Sequence, residues 1–432
     1  MEKIIELFYQ ISKLNRCSLH KEEFLNYIQH FAKLHGYNCL IDEYSNVLCK
    51  KSENSKICLQ SHYDMVCVNE NLVEVLNDGD KLYAKESTLG ADNGIGVAYM
   101  LYFMTQNRDF EFLFTSDEEI GLIGANHINF SLNSTYLINL DSEEEGDIFV
   151  GCAGGAEIYA KQKIQKIKND DKYFYEIETI GFKGGHSGID IDKGILNAIK
   201  ESAKFIKNNQ LNIIEFNGGE RINSIPVSVK MVVSTNQKID NIHEHFTIKQ
   251  IEAIDFKLNN SLIDFINSFS NGVKSYNRTL DCVKSSINLS KINIDNDYIN
   301  IALYARSLEK KELENMIFET KSLLEVLNFE LFEIHSSLPW EFKESHLSTI
   351  ALNQSKLLFK NPKLKVIHAG LECGILSNKF KNMEIISIGP NIFYPHSLSE
   401  YVEIKSIYKT FKFLKNLVDV AIPPQKYNGL KK

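Results

Sequence analysis

The stretch KICLQSHYD, residues 56–64, places a short apolar run directly before a histidine and an aspartate. The run has the length and composition of a buried strand, so His62 and Asp64 follow its carboxyl end. The alternation continues with a buried helix and two further strands, namely GIGVAYMLYFM (94–104), FEFLFTS (110–116) and TYLINL (135–140). Strands that alternate with helices in this way predict an α/β sheet flanked by helices.

The chain on either side of this stretch predicts one α/β domain interrupted by an insertion. Apolar residues recur at helical spacing in two amphipathic helices near the N-terminus. After GCAGG (151–155) the pattern becomes strand, helix, strand, twice over. The α/β rhythm then returns and ends in a helix predicted over 401–422. We therefore predict an α/β domain formed by residues 1–157 and 343–432, with an inserted α+β domain over 158–342.

The bulk composition is typical of a globular protein and argues against two classes of partner. A hydrophobic content of 44% with 24% charged residues is sufficient for a buried core. The formal net charge of -8 would repel phosphate backbones, so we expect no nucleic-acid partner. No stretch reaches the roughly 18 apolar residues that a membrane span needs. The N-terminus lacks the apolar run of a signal peptide. We therefore expect no membrane partner and a cytoplasmic location.

The eight cysteines predict free thiols rather than a disulfide framework. They form no CxxC pair and no compact disulfide spacing. In a chain of 432 residues this usage is typical of reduced, mostly buried thiols in a reducing compartment.

Five acidic or histidine clusters follow predicted strands or open a predicted helix. They are S-H-Y-D (His62, Asp64), G-A-D-N-G (Asp92), T-S-D-E-E (Glu118, Glu119), L-D-S-E-E-E-G (Asp141) and Y-P-H-S (His396). In open α/β sheets, ligands bind beyond the carboxyl ends of the strands. The clusters are therefore predicted to meet in one crevice, although they are far apart in sequence.

Imidazole nitrogens and ionised carboxylates are ligands of first-row metals, most commonly zinc. Each cluster alone also has a structural interpretation, such as a hydrogen-bonded surface pair or an acidic helix start. Their placement after successive strands favours the metal interpretation. Two divalent ions about 3.5–4 Å apart would need one carboxylate to bridge them and another to move a proton.

At this point the residues resemble a known family, the aminoacyl-histidine dipeptidases of the co-catalytic di-zinc metallopeptidases. The resemblance covers nearly the whole chain. The motifs that carry it are STLGADNGIGVA (87–98), DSEEEGDIFVGCAGG (141–155), GGHSG (184–188), HAGLECG (368–374) and SIGPNIFYPHS (387–397). It implies a zinc-peptidase-like α/β domain with a mixed sheet, interrupted by a lid domain through which two copies form a homodimer.

The resemblance also implies roles for residues at the five clusters. His62 and Asp141 would bind one metal, Glu119 and His396 the other, and Asp92 would bridge both. Asp64 would orient His62, and Glu118 would be the general base. The metals would be two Zn²⁺ per chain, with Co²⁺ or Mn²⁺ as alternatives.

Three residues of the insertion are implied as substrate-binding positions. His186 would stabilise the developing oxyanion, and Asn223 and Arg306 would hold the substrate, since an arginine fork suits a terminal carboxylate. Without the resemblance, His186 is better explained as a turn histidine. Arg306 is then explained equally well by a strand-end ion pair and by substrate binding. Closure of the lid would bring these residues to the metals.

The implied activity is hydrolysis of small unblocked dipeptides, including those with C-terminal histidine such as β-Ala-His. The nearest alternative is another two-metal hydrolase, namely a tripeptidase, a carboxypeptidase or an N-acyl amino-acid deacylase. The alternative from another class is a non-catalytic, metal-dependent peptide-binding module.

Overall fold

The computed structural model describes residues 2–69, 73–239, 243–295 and 297–421, and within them ten helices and 25 strands. The helices are α1 (Glu2–Ile11), α2 (Glu22–Leu34), α3 (Ala91–Thr105), α4 (Ile123–His127), α5 (Ala198–Asn208), α6 (Ser261–Ser268), α7 (Lys310–Val326), α8 (His346–Ser355), α9 (Glu372–Lys379) and α10 (Ile404–Ala421). The strands are β1 (Asn38–Ile41), β2 (Val47–Lys50), β3 (Ile57–His62), β4 (Val75–Asn77), β5 (Lys81–Ala84), β6 (Glu111–Thr115), β7 (Tyr136–Asn139), β8 (Ile148–Cys152), β9 (Gly154–Lys163), β10 (Lys166–Lys168), β11 (Tyr173–Thr179), β12 (Gly185–His186), β13 (Asn212–Gly218), β14 (Ser224–Ile225), β15 (Val229–Thr235), β16 (Phe246–Gln250), β17 (Phe256–Leu258), β18 (Gly272–Asn277), β19 (Cys282–Ile294), β20 (Tyr298–Ser307), β21 (Glu330–Ser337), β22 (Leu364–Ile367), β23 (Glu384–Ser387), β24 (Ile392–Phe393) and β25 (Tyr401–Glu403).

An eight-stranded sheet in the order β1-β2-β6-β3-β7-β23-β8-β22 forms the centre of the first unit. Its four central strands, β6, β3, β7 and β23, run parallel to one another, whereas β1, β2 and β8 pair antiparallel. The parallel strands are almost entirely buried, as expected for strands covered on both faces. Because they are parallel, their carboxyl ends meet at one edge of the sheet.

A smaller four-stranded sheet, β24-β25-β5-β4, lies in the same unit. Strand β25 pairs with β5 through the register Val402↔Leu82. The chain that leaves β5 leads into α3, which is buried on nearly all sides, and Asp92 lies in the first turn of α3. This sheet therefore joins the chain before α3 to the chain that follows His396.

The second unit contains a nine-stranded sheet in the order β16-β11-β15-β13-β19-β20-β9-β21, with β18 paired to β19. Helices α5, α6 and α7 contribute apolar residues to the core of this unit. A two-stranded ribbon joins β12 to β14 through the register His186↔Ser224. The unit comprises Cys152–Glu341 and Ile367–Gly370, and the first unit comprises Met1–Gly151, Phe342–Val366 and Leu371–Lys432.

The α/β class is confirmed, and the strands and helices predicted from the sequence are present. The helix predicted over 401–422 begins at Ile404, because Tyr401–Glu403 pair as a strand. Its predicted last residue, 422, lies outside the described residues. The strands predicted over 110–116 and 135–140 are each shorter by two residues, at Glu111–Thr115 and Tyr136–Asn139. Residues 367–370 group with the second unit, which the sequence pattern did not indicate.

The prediction of eight free thiols is wrong for one pair. Cys17 and Cys67 form a disulfide with a Cα–Cα distance of 5.5 Å, which lies in the normal range for such bonds. They are separated by 50 positions in sequence, so no local spacing could indicate the pairing. The other six cysteines are thiols outside any disulfide. Within the described ranges, none of the helices has the length and apolar character needed to cross a membrane.

Candidate metal centre

Each predicted ligand lies where the fold brings a strand or a helix to the shared edge of the first unit's sheet. His62 is the last residue of β3 and pairs in register with Thr115, the last residue of β6. Glu118 and Glu119 follow that end of β6, and Asp141 follows the end of β7. His396 lies in the loop between β24 and β25.

The two histidines contact opposite oxygens of one carboxylate. His62 Nε2 lies 3.1 Å from Asp92 Oδ1 and 3.1 Å from Asp141 Oδ1. His396 Nε2 lies 3.2 Å from Asp92 Oδ2 and 2.9 Å from Glu119 Oε2. The ligand atoms of His62, Asp92 and Asp141 lie within 4.8 Å of one another, as do those of Asp92, Glu119 and His396. These two triads share Asp92, which is the arrangement a bridging carboxylate requires.

The carboxylate of Asp64 supports both the imidazole and the acidic segment. His62 Nδ1 lies 3.1 Å from the Asp64 backbone oxygen and 3.5 Å from its Oδ1. Oδ1 also accepts a hydrogen bond from the Glu118 N–H at 3.0 Å, and Oδ2 accepts one from the Glu119 N–H at 3.4 Å. The Ser18 hydroxyl donates to Oδ2 at 2.8 Å. One buried side chain therefore fixes the orientation of His62 and the backbone of residues 118–119.

We expect Asp64→Asn to weaken zinc binding by about 10–100-fold, the usual cost of losing a partner behind a metal ligand. An asparagine side chain has one oxygen, so it cannot accept hydrogen bonds from His62 and from both backbone N–H groups of residues 118–119 as the two oxygens of a carboxylate do. A zinc titration against a chromophoric competitor measures the change. The control is Asp78→Asn, because Asp78 accepts two backbone N–H groups in an exposed turn. Equal zinc affinity in both variants would contradict the role of Asp64.

The carboxylates of the centre are buried together. Burial, and then the neighbouring carboxylates, raise the pKa of Glu118 well above its usual range despite the opposing effect of His62. Burial likewise raises the pKa of Asp141, and that of Glu143 to about 8. Glu119 Oε1 is buried and has no hydrogen-bond partner among the described residues. Such a group of acids is costly without cations, so the donor set fits divalent metal ions.

The three predicted substrate residues belong to the second unit. His186 Nδ1 accepts hydrogen bonds from the backbone N–H groups of Gly188 (3.2 Å) and Ile189 (3.1 Å). Burial, followed by the charge of Arg306, lowers the pKa of His186 to about 4. The imidazole is therefore neutral near pH 7, and because Nδ1 accepts, its proton is on Nε2. The Asn223 carbonyl accepts from the Ser187 N–H at 2.8 Å.

Arg306, at the end of β20, is the third of these residues. The residue is 4% exposed, and its guanidinium lies 4.0 Å from the centre of the Tyr304 ring. Its Nε has no hydrogen-bond partner among the described residues. A Cβ built on Gly188 would lie 2.3 Å from the His368 backbone oxygen and 3.1 Å from both Arg306 Nε and His186 Cε1, so glycine is needed at this position.

Several residues around the metal centre have no role in the sequence-based prediction. Glu372, in the HAGLECG motif, is fully buried and accepts hydrogen bonds from Gln60 (2.6 Å) and Thr115 (2.8 Å). Glu400 lies four residues after His396, just beyond the last motif, and its short spacing from that histidine is the one signal that could have indicated it. Arg16, which is buried, is a lone arginine in an N-terminal segment and carries no motif.

Comparison with known proteins identifies the class. The model of peptidase family M20/M25/M40 matches residues 58–420, and the chain belongs to this family. It is a hydrolase of the metallopeptidase class. This confirms the class that the motifs predicted.

Particular relatives cover almost the whole chain. It is 29% identical to the cytosol non-specific dipeptidase of Escherichia coli (strain K12) over 469 aligned residues, which cover 96% of each chain. The aminoacylhistidine dipeptidase of Vibrio alginolyticus is similar in structure, with a TM-score of 0.82 and 27% identity over 98% of this chain and 96% of that one. A tripeptidase from Staphylococcus aureus shares the fold, with a TM-score of 0.61 and 17% identity over 97% and 98% of the two chains.

Proposed function

We propose that this chain is a two-metal dipeptidase that hydrolyses unblocked dipeptides, including those with C-terminal histidine. The observation that carries the proposal is the carboxylate of Asp92, whose two oxygens face His62 and His396 separately. The names of the two full-length relatives, a non-specific dipeptidase and an aminoacylhistidine dipeptidase, support the substrate class.

The donor set fits two divalent cations, most suitably Zn²⁺. His62 and Asp141 would hold one, Glu119 and His396 the other, and Asp92 both. Two observations support this assignment. Glu119 Oε1 has no hydrogen-bond partner among the described residues, and several carboxylates are buried close to one another. When bound, such a pair polarises a carbonyl and lowers the pKa of water.

Glu118 is the residue best suited to move the proton. Its carboxylate makes no hydrogen bond to the described residues, and its backbone is fixed by Asp64. It takes a proton from the attacking water and delivers it to the leaving amine. A raised pKa suits this second transfer, because the acid must hold its proton until the amine departs.

The residues of the second unit take the roles that the resemblance implies. Neutral His186, with its proton on Nε2, donates to the oxyanion as it develops. Arg306 binds the terminal carboxylate of the substrate. Its side chain is buried, and its Nε has no hydrogen-bond partner among the described residues. Asn223 contacts the substrate as a hydrogen-bonding residue.

The activity is tested by incubating the purified chain and zinc with β-Ala-His, with Leu-Gly-Gly and with N-acetyl amino acids. We expect turnover of the dipeptide and little of the other two. Turnover confined to the N-acetyl substrates would make the protein a deacylase, and turnover confined to the tripeptide would make it a tripeptidase. Metal analysis of protein purified without chelator should find about two ions per chain.

A homodimer formed through the second unit remains part of the proposal. Strand β21 ends the nine-stranded sheet, and Phe332 and Ile334 on it are 49% and 36% exposed. An exposed edge with apolar residues is suited to pairing with another copy. Light scattering of the purified protein should give twice the chain mass of 49.4 kDa, and a monomer mass would contradict it. A cytoplasmic location is proposed from the name of the Escherichia coli relative.

A further inference from the structure

We propose that Glu400 is a positioning residue. It holds Asp92 and His396 in fixed positions relative to each other, and it thereby sets the affinity of the site for both metal ions. This inference rests on the two-metal site proposed above. Glu400 follows His396 by four positions and directly precedes β25. Its side chain reaches the loop that presents Asp92.

The carboxylate of Glu400 accepts four consecutive backbone N–H groups. Oε2 accepts from Leu89 (2.8 Å) and Gly90 (3.0 Å). Oε1 accepts from Ala91 (2.9 Å) and Asp92 (3.3 Å). The side chain is 3% exposed, so these bonds are formed away from water, where losing them is costly. The backbone that carries Asp92 is thereby attached to the backbone that carries His396.

Three of these N–H groups, those of Gly90, Ala91 and Asp92, are among those that the start of α3 leaves without partners. A helix usually satisfies them with the side chain of its own N-cap residue. Here the N-cap is Gly90, at a φ of 65°, and it supplies no side-chain hydrogen bond. Glu400 therefore replaces the local cap from more than 300 positions away.

The opposite face of the same loop is held by a cation. Arg16 donates to the Gly90 carbonyl at 3.0 Å and to the Tyr63 carbonyl at 2.8 Å. Arg16 is 1% exposed. The Gly90 N–H therefore donates to the Glu400 carboxylate, and the Gly90 carbonyl accepts from the Arg16 guanidinium. Because Tyr63 lies between His62 and Asp64, the same arginine also links this loop to the end of β3.

The turn between His396 and Glu400 transmits this constraint to the second histidine. The Glu400 N–H donates to the Ser397 carbonyl at 3.2 Å, and the Ser397 hydroxyl donates to the Tyr394 carbonyl at 2.7 Å. His396 itself has a φ of 61° inside this turn. These hydrogen bonds restrict the backbone between His396 and Glu400, so the position of the Glu400 carboxylate constrains the position of the His396 imidazole.

The test compares Glu400→Gln with Glu111→Gln. Glu111 is also fully buried, and its carboxylate accepts backbone N–H groups from Asn133 and Ser134. It lies at the end of β6 remote from the metal ligands. We expect both variants to lower the unfolding temperature of the metal-free protein. Only Glu400→Gln should weaken binding of both zinc ions, by about 10–100-fold in a competition titration.

The outcomes separate this inference from the proposed function. If the unmodified protein binds no zinc, the two-metal site itself fails. If it binds two ions and Glu400→Gln binds them equally well, only the positioning role fails. An equal loss of affinity in Glu111→Gln would attribute the effect to general stability and would also overturn the role.

A second variant covers the case in which Glu400→Gln does not fold. Glu400→Asp keeps the charge but shortens the side chain by one methylene, so it cannot reach all four N–H groups. We expect it to fold and to bind both zinc ions more weakly than the unmodified protein does. The absorption spectrum of the Co²⁺-loaded protein should change with it, because the ligands move. Unchanged affinity and spectrum would overturn the inference.

Discussion

Glu118→Gln is expected to reduce kcat for a dipeptide by about 10²–10⁴-fold, the usual contribution of a general base. The amide has the shape of the carboxylate but cannot accept a proton from water. Zinc content should stay the same, because the assigned ligands are untouched. Steady-state kinetics with β-Ala-His and metal analysis of the same preparation measure both quantities.

Glu111→Gln is the matched control for this substitution. Both glutamates adjoin β6, but Glu111 begins the strand and Glu118 follows its other end. The control should change stability and leave kcat close to that of the unmodified protein. If Glu118→Gln retains full activity, Glu118 is not the base. If it loses zinc as well as activity, Glu118 is a ligand and the proton must move through another group.

Asp92→Asn is expected to have the other large effect, a loss of zinc from both positions together with activity. An asparagine side chain has one oxygen, so it cannot present one oxygen toward His62 and another toward His396. The loss of zinc affinity should exceed the roughly 10–100-fold loss expected when a residue that only hydrogen-bonds to a metal ligand is removed. Metal analysis after gel filtration in low zinc measures the occupancy.

A chelation experiment completes this prediction. The unmodified protein, stripped by a chelator, should regain activity when zinc is returned, whereas Asp92→Asn should regain little. Asp78→Asn, in an exposed turn of the same unit, should behave as the unmodified protein. Retention of two tightly bound ions by Asp92→Asn would contradict the bridging role.

The location of the site could be predicted because it depends on sheet geometry. Each strand before a cluster was recognisable from a short apolar run, and parallel strands bring the residues at their carboxyl ends to one edge of the sheet. His62, Glu118 and Asp141 were predicted on that basis, and ligand atoms of both carboxylates lie within 4.8 Å of His62. The clusters that contain Asp92 and His396 were part of the same prediction, whereas the role of each ligand was implied by the family resemblance.

Apart from Asp64, the support behind the ligands could not be predicted, because it depends on contacts between distant segments. Arg16 and Ser18 reach the site through the isolated bridge between Cys17 and Met65, which has no periodic signature. The hydrogen bonds of Glu400 join segments more than 300 positions apart. The disulfide between Cys17 and Cys67 depends on the same proximity. Local patterns carry no information about such pairings.

The shared use of Asp64 has a consequence for any attempt to redesign this protein. Since one carboxylate orients an imidazole and also anchors the adjoining acidic backbone, cation preference and proton-transfer rate are tied to a single position. A search for variants with altered metal selectivity should therefore sample Glu119 or Asp141, because the backbone N–H groups of residues 118 and 119 donate to Asp64 and not to these side chains. Libraries that include Asp64 would return proteins defective in two traits at once.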